Sequence, residues 1–261
     1  MKRRFLITCS TGDIGTELCL YLAKKGHDLI ITGRDLEKLK NLSVKITTSY
    51  PDVHVNFYCA DLGVPETMNE LIAQTKLQGI DGIVLMPPRP PVLPDDPIQQ
   101  FHTLNKVMQD CFTGPRFLLQ QLLPCMEESS LKSVILISGT SSKQPISNPN
   151  WEAFNDIRTT WAGCLKTFAD TYGPKGVRFN AISPGQVATQ TYNKKLEIEA
   201  QAKSKLFTEV LREKTSTAPL GKLASVHGVV KTIYFFLKSS GSNEITANNI
   251  HIDGGTIRPY Y

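Results

Sequence analysis

The chain has 261 residues, a formal net charge of +5, and 41% hydrophobic and 20% charged residues. This length suits one large α/β domain spanning residues 1–261, and the composition is typical of a folded protein rather than a disordered one. The N-terminal apolar run is too short for a signal peptide, and no stretch approaches the roughly 20 apolar residues of a membrane span. We therefore expect a cytoplasmic protein without a membrane contact.

Neither the cysteines nor the basic residues indicate a metal ion or a nucleic acid. The six cysteines show no paired spacing of the kind that binds metals or forms a redox couple. The positive charge is dispersed and lacks the dense basic stripe with stacking aromatics that a nucleic-acid groove needs. We expect no metal and no nucleic-acid partner. Attraction to a small anionic molecule or an acidic carrier protein stays open.

Short β-rich runs alternate along the chain with longer segments of helical period. The predicted strands are RRFLITC, DLIIT, VHVNFY, DGIVLM, SVILIS, VRFNAIS and NNIHIDGG. Helices are predicted at 14–25, 36–47, 66–76, 98–128, 151–172 and 225–237. This alternation predicts a Rossmann-like doubly wound parallel sheet of about seven strands with helices on both faces.

Two stretches interrupt the alternation. PPRPPVLPDDP, after the fourth strand, contains too many prolines for a helix or an inner strand and is predicted to be a loop. The second stretch, 186–221, follows the sixth strand and is predicted to be a charged amphipathic helix between loops. Ligands bind at the carboxyl ends of the strands in such sheets, so this insertion is either a lid or a surface helix pair without a gating role.

Several segments in the same order resemble the short-chain dehydrogenase/reductase family over essentially the whole chain. They are ITCSTGDIG, TGRDLEKL, the pair Asp61-Leu62, FTGPRFLLQQLLPCM, GPKGVRFNAISPGQVAT and HIDGG. A single glycine loop is weak support, whereas this many ordered landmarks is strong. The similarity is greatest to β-ketoacyl carrier-protein reductase-like members. It implies a Rossmann fold and NADP-linked carbonyl chemistry, which can be assessed position by position.

The nucleotide loop of the family has three glycines, and the corresponding segment here is altered. Counting back from Gly15, the first two glycine positions hold Cys9 and Asp13, while Gly12 lies out of register. A carboxylate at a helix start would satisfy the free N–H groups and repel a cofactor phosphate. Asp13 could instead simply cap the helix, or a shortened loop could begin at Thr11. The resemblance places Ile14 in the same loop.

Of the other cofactor positions implied by the resemblance, some keep residues typical of the family and some do not. Arg34 lies where NADP-preferring relatives place a basic residue for the 2′-phosphate, and Asp61 and Leu62 would contact adenine. The nicotinamide side would be lined by Pro184, Gly185, Val187 and Thr189. However, Leu85-Met86-Pro87-Pro88 replaces the family's Asn-Asn-Ala-Gly turn, and its prolines fill space left for adenosine. NADP(H) is thus the favoured cofactor, and whether any dinucleotide binds is left open.

The catalytic positions of the family are occupied by residues that lack its proton-transfer chemistry. Counting back from the shared GPKGVRFN segment places Phe154 at the tyrosine and Arg158 at the lysine. The serine position falls on Gly139 or Ser141, depending on which landmark sets the register, and the asparagine position holds Cys111. The tyrosine position of enoyl reductases holds Glu152. Loss of a general acid costs on the order of 10²–10⁴ in rate.

Replacement nucleophiles are weaker alternatives. The segment SGTSSKQ offers serines beside Lys143, but loops after strands are rich in Ser and Thr for turn reasons alone. Cys111 could act as a nucleophile, although a free cysteine near a helix start is more often a small buried hydrophobe. We treat the histidines as structural or surface residues.

The sequence supports three functional hypotheses. The leading one is a degenerate family member, either a non-catalytic subunit or a protein with a repurposed binding or non-redox role. The second is an atypical NADP(H)-dependent oxidoreductase of a ketone or acyl substrate, with water or a hydroxyl of Thr140 or Ser141 replacing the tyrosine. The third is a carrier-protein or regulatory binding module that uses the basic insertion. The resemblance also implies a homo-oligomer, dimer or tetramer, or a hetero-oligomer with an active relative.

Overall fold

The computed structural model describes residues 2–238 and 240–258. In this part of the chain, seven strands form one sheet: β1 (Arg4–Ile7), β2 (Asp28–Gly33), β3 (Val55–Cys59), β4 (Gly82–Leu85), β5 (Ser133–Ile137), β6 (Arg178–Pro184) and β7 (Asn249–Ile252). Their order is β3-β2-β1-β4-β5-β6-β7, and every neighbouring pair is parallel. The predicted doubly wound Rossmann-like fold is confirmed.

The helices follow the strands as the alternation predicts. They are α1 (Asp13–Lys24), α2 (Leu36–Ser49), α3 (Asn69–Gln78), α4 (Pro97–Met108), α5 (Gly114–Leu122), α6 (Glu152–Tyr172), α7 (Gln190–Ala202), α8 (Phe207–Thr215) and α9 (Val226–Leu237). Within the described ranges, none of them has the length and apolar character needed to cross a bilayer.

The long helix predicted over 98–128 is interrupted. A π-helical turn, Gln109–Thr113, separates α4 from α5. Pro115 has no N–H to donate to the carbonyl of Cys111, and the indole Nε1 of Trp161 donates to that carbonyl instead, at 2.8 Å. A β-carbon on Gly114 would lie 1.7 Å from the carbonyl oxygen of Leu62, so the helix can pass this loop only with glycine there. The periodicity of the sequence could not predict this interruption, because the contacts that compensate for it come from residues distant in the chain.

Two apolar layers cover the sheet. One buries α5 and α6 against alternate residues of the central strands, such as Leu136 and Phe179. The other buries α1 and α9 against the opposite side chains, such as Ile135 and Ile182. Because successive strand residues point to opposite faces, this alternation fixes the register of the sheet and places α6 over the carboxyl end of β5.

The insertion after β6 contains two helices where one was predicted. Leu196, Ala200 and Val210 form a small separate core between α7 and α8. Much of the basic charge of this insertion is balanced within it, because Glu199 pairs with Lys203 and Lys214. This insertion therefore offers an acidic carrier protein fewer unpaired basic side chains than its sequence indicates.

Candidate functional site

The predicted catalytic positions converge at the carboxyl end of β5, where α6 passes over the sheet. Arg158 is the centre of this group. Its Nη1 donates to the hydroxyl of Ser141 at 3.2 Å, and its guanidinium carbon lies 5.1 Å from the ring centroid of Phe154. Four of the five predicted positions, including Gly139, are thus brought together. The fifth, Cys111, is not among these contacts.

Gly139 and Arg158 are sterically coupled. A β-carbon built on Gly139 would lie 2.4 Å from Cζ of Arg158 and within 2.7 Å of both terminal nitrogens. The guanidinium therefore occupies the volume that a serine side chain would need at the end of β5. Ser141, two residues later and buried, supplies the hydroxyl that contacts the guanidinium.

Phe154, which counting from the family landmarks assigns to the tyrosine position, presents an apolar ring. The ring is 7% exposed, packs 4.9 Å from the Trp151 ring, and has two guanidinium carbons near its centroid, those of Arg89 at 5.2 Å and Arg158 at 5.1 Å. Arg158 also lies 5.6 Å from the Trp151 ring. Such cation–π contacts stabilise a cation without neutralising it, so the site keeps its positive charge.

The charge on Arg158 is partly removed from water, since the residue is half-buried. Burial, with a smaller contribution from the nearby charge of Arg89, lowers the pKa of Arg158 to about 10. The group therefore remains protonated at neutral pH. In residues 2–238 and 240–258, neither arginine forms an ion pair with an acidic side chain. Their charge is available to an anion or to a developing negative charge.

Cys111 lies in the π-helical turn and is only 2% exposed. Burial and the neighbouring carboxylate of Asp110 raise the pKa of its thiol to about 12. The thiolate, which is the reactive form, is then scarce at neutral pH. This environment suits a packed thiol better than a nucleophile.

The serines after β5 do not form a pair with Lys143. Ser142 donates to the carbonyl of Gly139 at 2.6 Å and accepts a hydrogen bond from the amide of Asn249. The hydroxyl of Ser183 donates to the same amide side chain at 2.6 Å, while Lys143 is exposed. These bonds tie the ends of β5, β6 and β7 together, which is a positioning role.

On the nucleotide side, α1 begins without a side-chain cap. Gly12 is the N-cap residue and offers no side chain, so the first N–H groups of α1 remain available to an anion. Asp13 does not cap the helix. Its Oδ2 accepts a hydrogen bond from the backbone N–H of Thr191 at 3.3 Å. The carboxylate therefore reaches across to the start of α7.

The rest of this loop keeps the backbone shape that glycines allow. Cys9 has φ of +46°, in the left-handed region that favours glycine, although it carries a side chain. A β-carbon on Gly15 would lie 2.6 Å from the carbonyl of Cys9 and 2.8 Å from Ser10, so only glycine allows α1 to pack this closely on the loop. Burial raises the pKa of Cys9 to about 11.

A cavity of about 370 Å³ lies between the residue after β2, the loop after β4, and α4 with the π-helical turn. Its lining includes Arg34, Pro88, Arg89, Lys106 and Asp110. Lys106 pairs with Asp110 at 2.5 Å, whereas neither Arg34 nor Arg89 has an acidic partner in the part of the chain that the structure describes. Space for a ligand thus remains next to Arg34 even with prolines after β4.

The other predicted cofactor positions have mainly structural contacts. The carboxylate of Asp61 accepts from the N–H of Gly63, and Leu62 and Met86 are buried. On the nicotinamide side, Thr189 caps α7 by accepting from the N–H of Tyr192, and Val187 forms a bridge with Ala224. Pro184 ends β6, and a β-carbon on Gly185 would lie 2.9 Å from Asp253.

Sequence reasoning missed Arg89 and Trp151. Arg89 lies in the proline-rich segment after β4, and the only signal was a charged residue within a run of prolines. Among the described residues, no group of three or more His, Cys, Asp or Glu side chains is placed to hold a metal ion.

Comparison with known proteins assigns the family. A family model described as enoyl-(acyl carrier protein) reductase matches residues 10–256. The rat protein dehydrogenase/reductase SDR family member 4 is 26% identical over 254 residues, covering 96% of this chain and 86% of that protein. The chain belongs to the short-chain dehydrogenase/reductase family. The family resemblance in the sequence is confirmed.

Solved structures agree on the fold. L-sorbose reductase from Gluconobacter frateurii, complexed with NADPH and L-sorbose, superposes with a TM-score of 0.88 at 18% identity, covering 99% of this chain and 97% of that one. An NADPH-bound short chain oxidoreductase from Pseudomonas aeruginosa PAO1, described as containing an atypical catalytic center, gives 0.85 at 19% identity, with 98% and 97% covered. At these identities the likeness concerns the fold alone.

Proposed function

We propose that this chain is an atypical NADP(H)-dependent oxidoreductase of a ketone or acyl carbonyl, in which Arg158 replaces the family's tyrosine as the group that polarises the carbonyl. The observation that carries this proposal is the guanidinium at the end of β5, half-buried and without an acidic partner among the described residues. A cation in this position is placed to stabilise negative charge that develops on a bound carbonyl oxygen.

The residues around the start of α1 and at Arg34 support NADP(H) as the cofactor. The uncapped start of α1, the close packing at Gly15 and the cavity beside Arg34 fit a dinucleotide with a 2′-phosphate. NADPH in the complexes of the structural neighbours points the same way. Asp13 opposes it, because a carboxylate at the helix start repels a phosphate.

The proposed reaction balances with NADPH and one proton. When bound, NADPH supplies a hydride to the carbonyl carbon and leaves as NADP⁺. The carbonyl π electrons move to oxygen, where free N–H groups of Arg158 donate hydrogen bonds and its charge stabilises the developing alkoxide. Phe154 excludes water from one side and so strengthens that interaction. Arg158 stays protonated, and the alkoxide takes its proton from solvent.

We also propose that 186–221 acts as a lid within a single domain. The hydrogen bond between Asp13 and the N–H of Thr191 joins α1 to the first turn of α7 across the mouth of the nucleotide loop. Binding of a dinucleotide there requires this contact to open. Hydrogen exchange of α7 amides with and without NADPH tests the lid, since a surface helix pair without a gating role would exchange identically in both states.

A non-catalytic subunit is the second candidate. It is favoured by Phe154, which has no proton to transfer, and by the carboxylate at the start of α1. In that case the chain contributes to a homo-oligomer or to a hetero-oligomer with an active relative, and neither NADPH nor NADH binds.

The deciding experiment combines binding and turnover. NADPH and NADH are titrated by fluorescence or calorimetry, and turnover is followed as NADPH oxidation with ketones and acyl thioesters. We expect NADPH to bind and Arg158→Met to lose at least about tenfold in kcat/KM while the free energy of unfolding rises by about 1 kcal/mol, since an unpaired cation is removed. Arg158→Lys keeps the charge without the planar fork and should be intermediate. The proposal is overturned if NADPH does not bind, or if Arg158→Met turns over substrate as fast as the wild type.

A further inference from the structure

Two arginines from distant parts of the chain meet at one aromatic ring. Arg89, from the loop after β4, and Arg158, from α6, have guanidinium carbons 5.2 and 5.1 Å from the centroid of Phe154. Their charges are close enough for Arg89 to lower the pKa of Arg158. Like charges repel, so an anion bound between the two guanidinium groups would relieve this repulsion.

A second arginine, Arg178 on β6, is more deeply buried than Arg158. Its Nη1 donates to the carbonyls of Phe236 and Ser242 at 3.1 and 3.0 Å, while its Nη2 is buried without a partner among the described residues. Arg158 donates only to the hydroxyl of Ser141 among the described residues. Arg158 is half-buried, and none of its nitrogen atoms is a fully buried atom without a partner. Its remaining N–H groups therefore keep accessible surface, where an acceptor from outside the protein can bind them.

Arg89 and Arg158 differ in their exposure to solvent. Arg89 is exposed and also lines the 370 Å³ cavity, whereas Arg158 is half-buried, with the rings of Trp151 and Phe154 beside its guanidinium. Arg89 is therefore the more accessible of the two cations. The ring of Phe154 lies within 5.2 Å of both guanidinium carbons.

We propose that the substrate is an oxo acid, whose carboxylate is bound by Arg89 while its reacting carbonyl lies at Arg158. The inference rests on the proposed function, because it assigns the carbonyl to the same guanidinium. A planar guanidinium matches a carboxylate with two parallel hydrogen bonds. The hydrocarbon between the two oxygen-bearing groups packs on Phe154. A neutral ketone leaves Arg89 unpaired and binds less tightly.

Calorimetry with a matched pair of probes tests this without turnover. The probes are 4-oxopentanoate and its neutral analogue 4-oxopentanamide, titrated into the full-length protein alone and with NADP⁺, which cannot reduce them. We expect the acid to bind at least about tenfold tighter than the amide. Arg89→Gln should abolish this preference and Arg89→Lys should retain part of it.

Arg116 provides the matched control. Its guanidinium carbon lies 5.4 Å from the Phe168 ring, so it makes the same kind of cation–π contact on α5. Arg116→Gln should leave the preference for the acid unchanged. Circular dichroism and thermal unfolding verify that each variant is folded before titration.

The outcomes separate the two proposals. Equal affinity for acid and amide, or tight acid binding by Arg89→Gln, overturns the oxo-acid assignment even if other ketones are reduced. Weaker NADPH binding by Arg89→Gln with unchanged acid binding also overturns it and places Arg89 in the nucleotide site. A preference for the acid that depends on Arg89, without any NADPH oxidation, supports the anion site and overturns the proposed oxidoreductase instead.

Discussion

Arg158 occupies the space of the side chain that Gly139 lacks, with Cζ 2.4 Å from where a β-carbon would be. Counting from the family landmarks assigns position 158 to a lysine, and one of the two possible registers assigns position 139 to a serine. Arginine is larger than lysine at its tip, and it fits over β5 only because residue 139 has no side chain. The two replacements are therefore one packing change. A serine restored at 139 alone would displace the guanidinium.

Gly139→Ala should reduce activity more than stability. The new methyl group pushes away the end of a long side chain, so we expect about 1 kcal/mol lower free energy of unfolding but at least about tenfold lower kcat/KM. Urea unfolding and NADPH oxidation measure the two effects. The control is Gly163→Ala in α6, where a β-carbon would meet nothing within 4 Å, and stability should rise by roughly 0.5–1 kcal/mol with activity unchanged. Full activity in Gly139→Ala would contradict the coupling.

Asp13→Gly should strengthen dinucleotide binding. The change removes the carboxylate from the start of α1 and its hydrogen bond to Thr191. Relief of about 1 kcal/mol of repulsion corresponds to roughly fivefold lower Kd for NADPH, measured by fluorescence titration. Glu17→Gln removes the same charge one turn further along α1 and should change Kd far less, since the effect of the helix dipole falls off within the first turn. Equal Kd for wild type and Asp13→Gly would show that the carboxylate does not oppose the cofactor.

Arg34→Gln should remove the preference for NADPH over NADH. Arg34 lines the cavity without an acidic partner among the described residues, so it is free to bind a 2′-phosphate. We expect the Kd for NADPH to rise about tenfold and that for NADH to stay constant. Arg34→Lys, which keeps the charge, should retain most of the preference. A parallel loss of both cofactors would mean that Arg34 supports the pocket rather than recognising the phosphate.

Turnover should be flat with pH up to about 9 and fall above it. Burial lowers the pKa of Arg158 to about 10, and the proposed role requires its charged form. The charge is fully present below that pKa and is lost as pH rises through it. A profile of kcat/KM from pH 6 to 11, with stability verified by thermal unfolding at each pH, measures this. A decline centred between pH 6 and 8 would assign the controlling group to another residue.

Much of the fold follows from local sequence patterns. The strand and helix segments, the doubly wound order and the family were predictable, since apolar period and landmark spacing depend on residues close together in the chain. Counting alone also assigned Phe154 and Arg158 to family positions, and that assignment stays a prediction. The interruption at Gln109–Thr113 did not, because it depends on the indole of Trp161, 50 residues from the carbonyl that it satisfies.

The sequence by itself predicted the family, and counting from its landmarks assigned Phe154 and Arg158 to the positions of a tyrosine and a lysine. Only the tertiary structure decided that Arg89 and Arg158 meet at Phe154, that Gly139 makes room for the guanidinium, and that Asp13 reaches Thr191, 178 residues away. These relationships arise where a parallel sheet brings the ends of distant strands to one edge. No pattern within a short window of sequence records which side chains meet there.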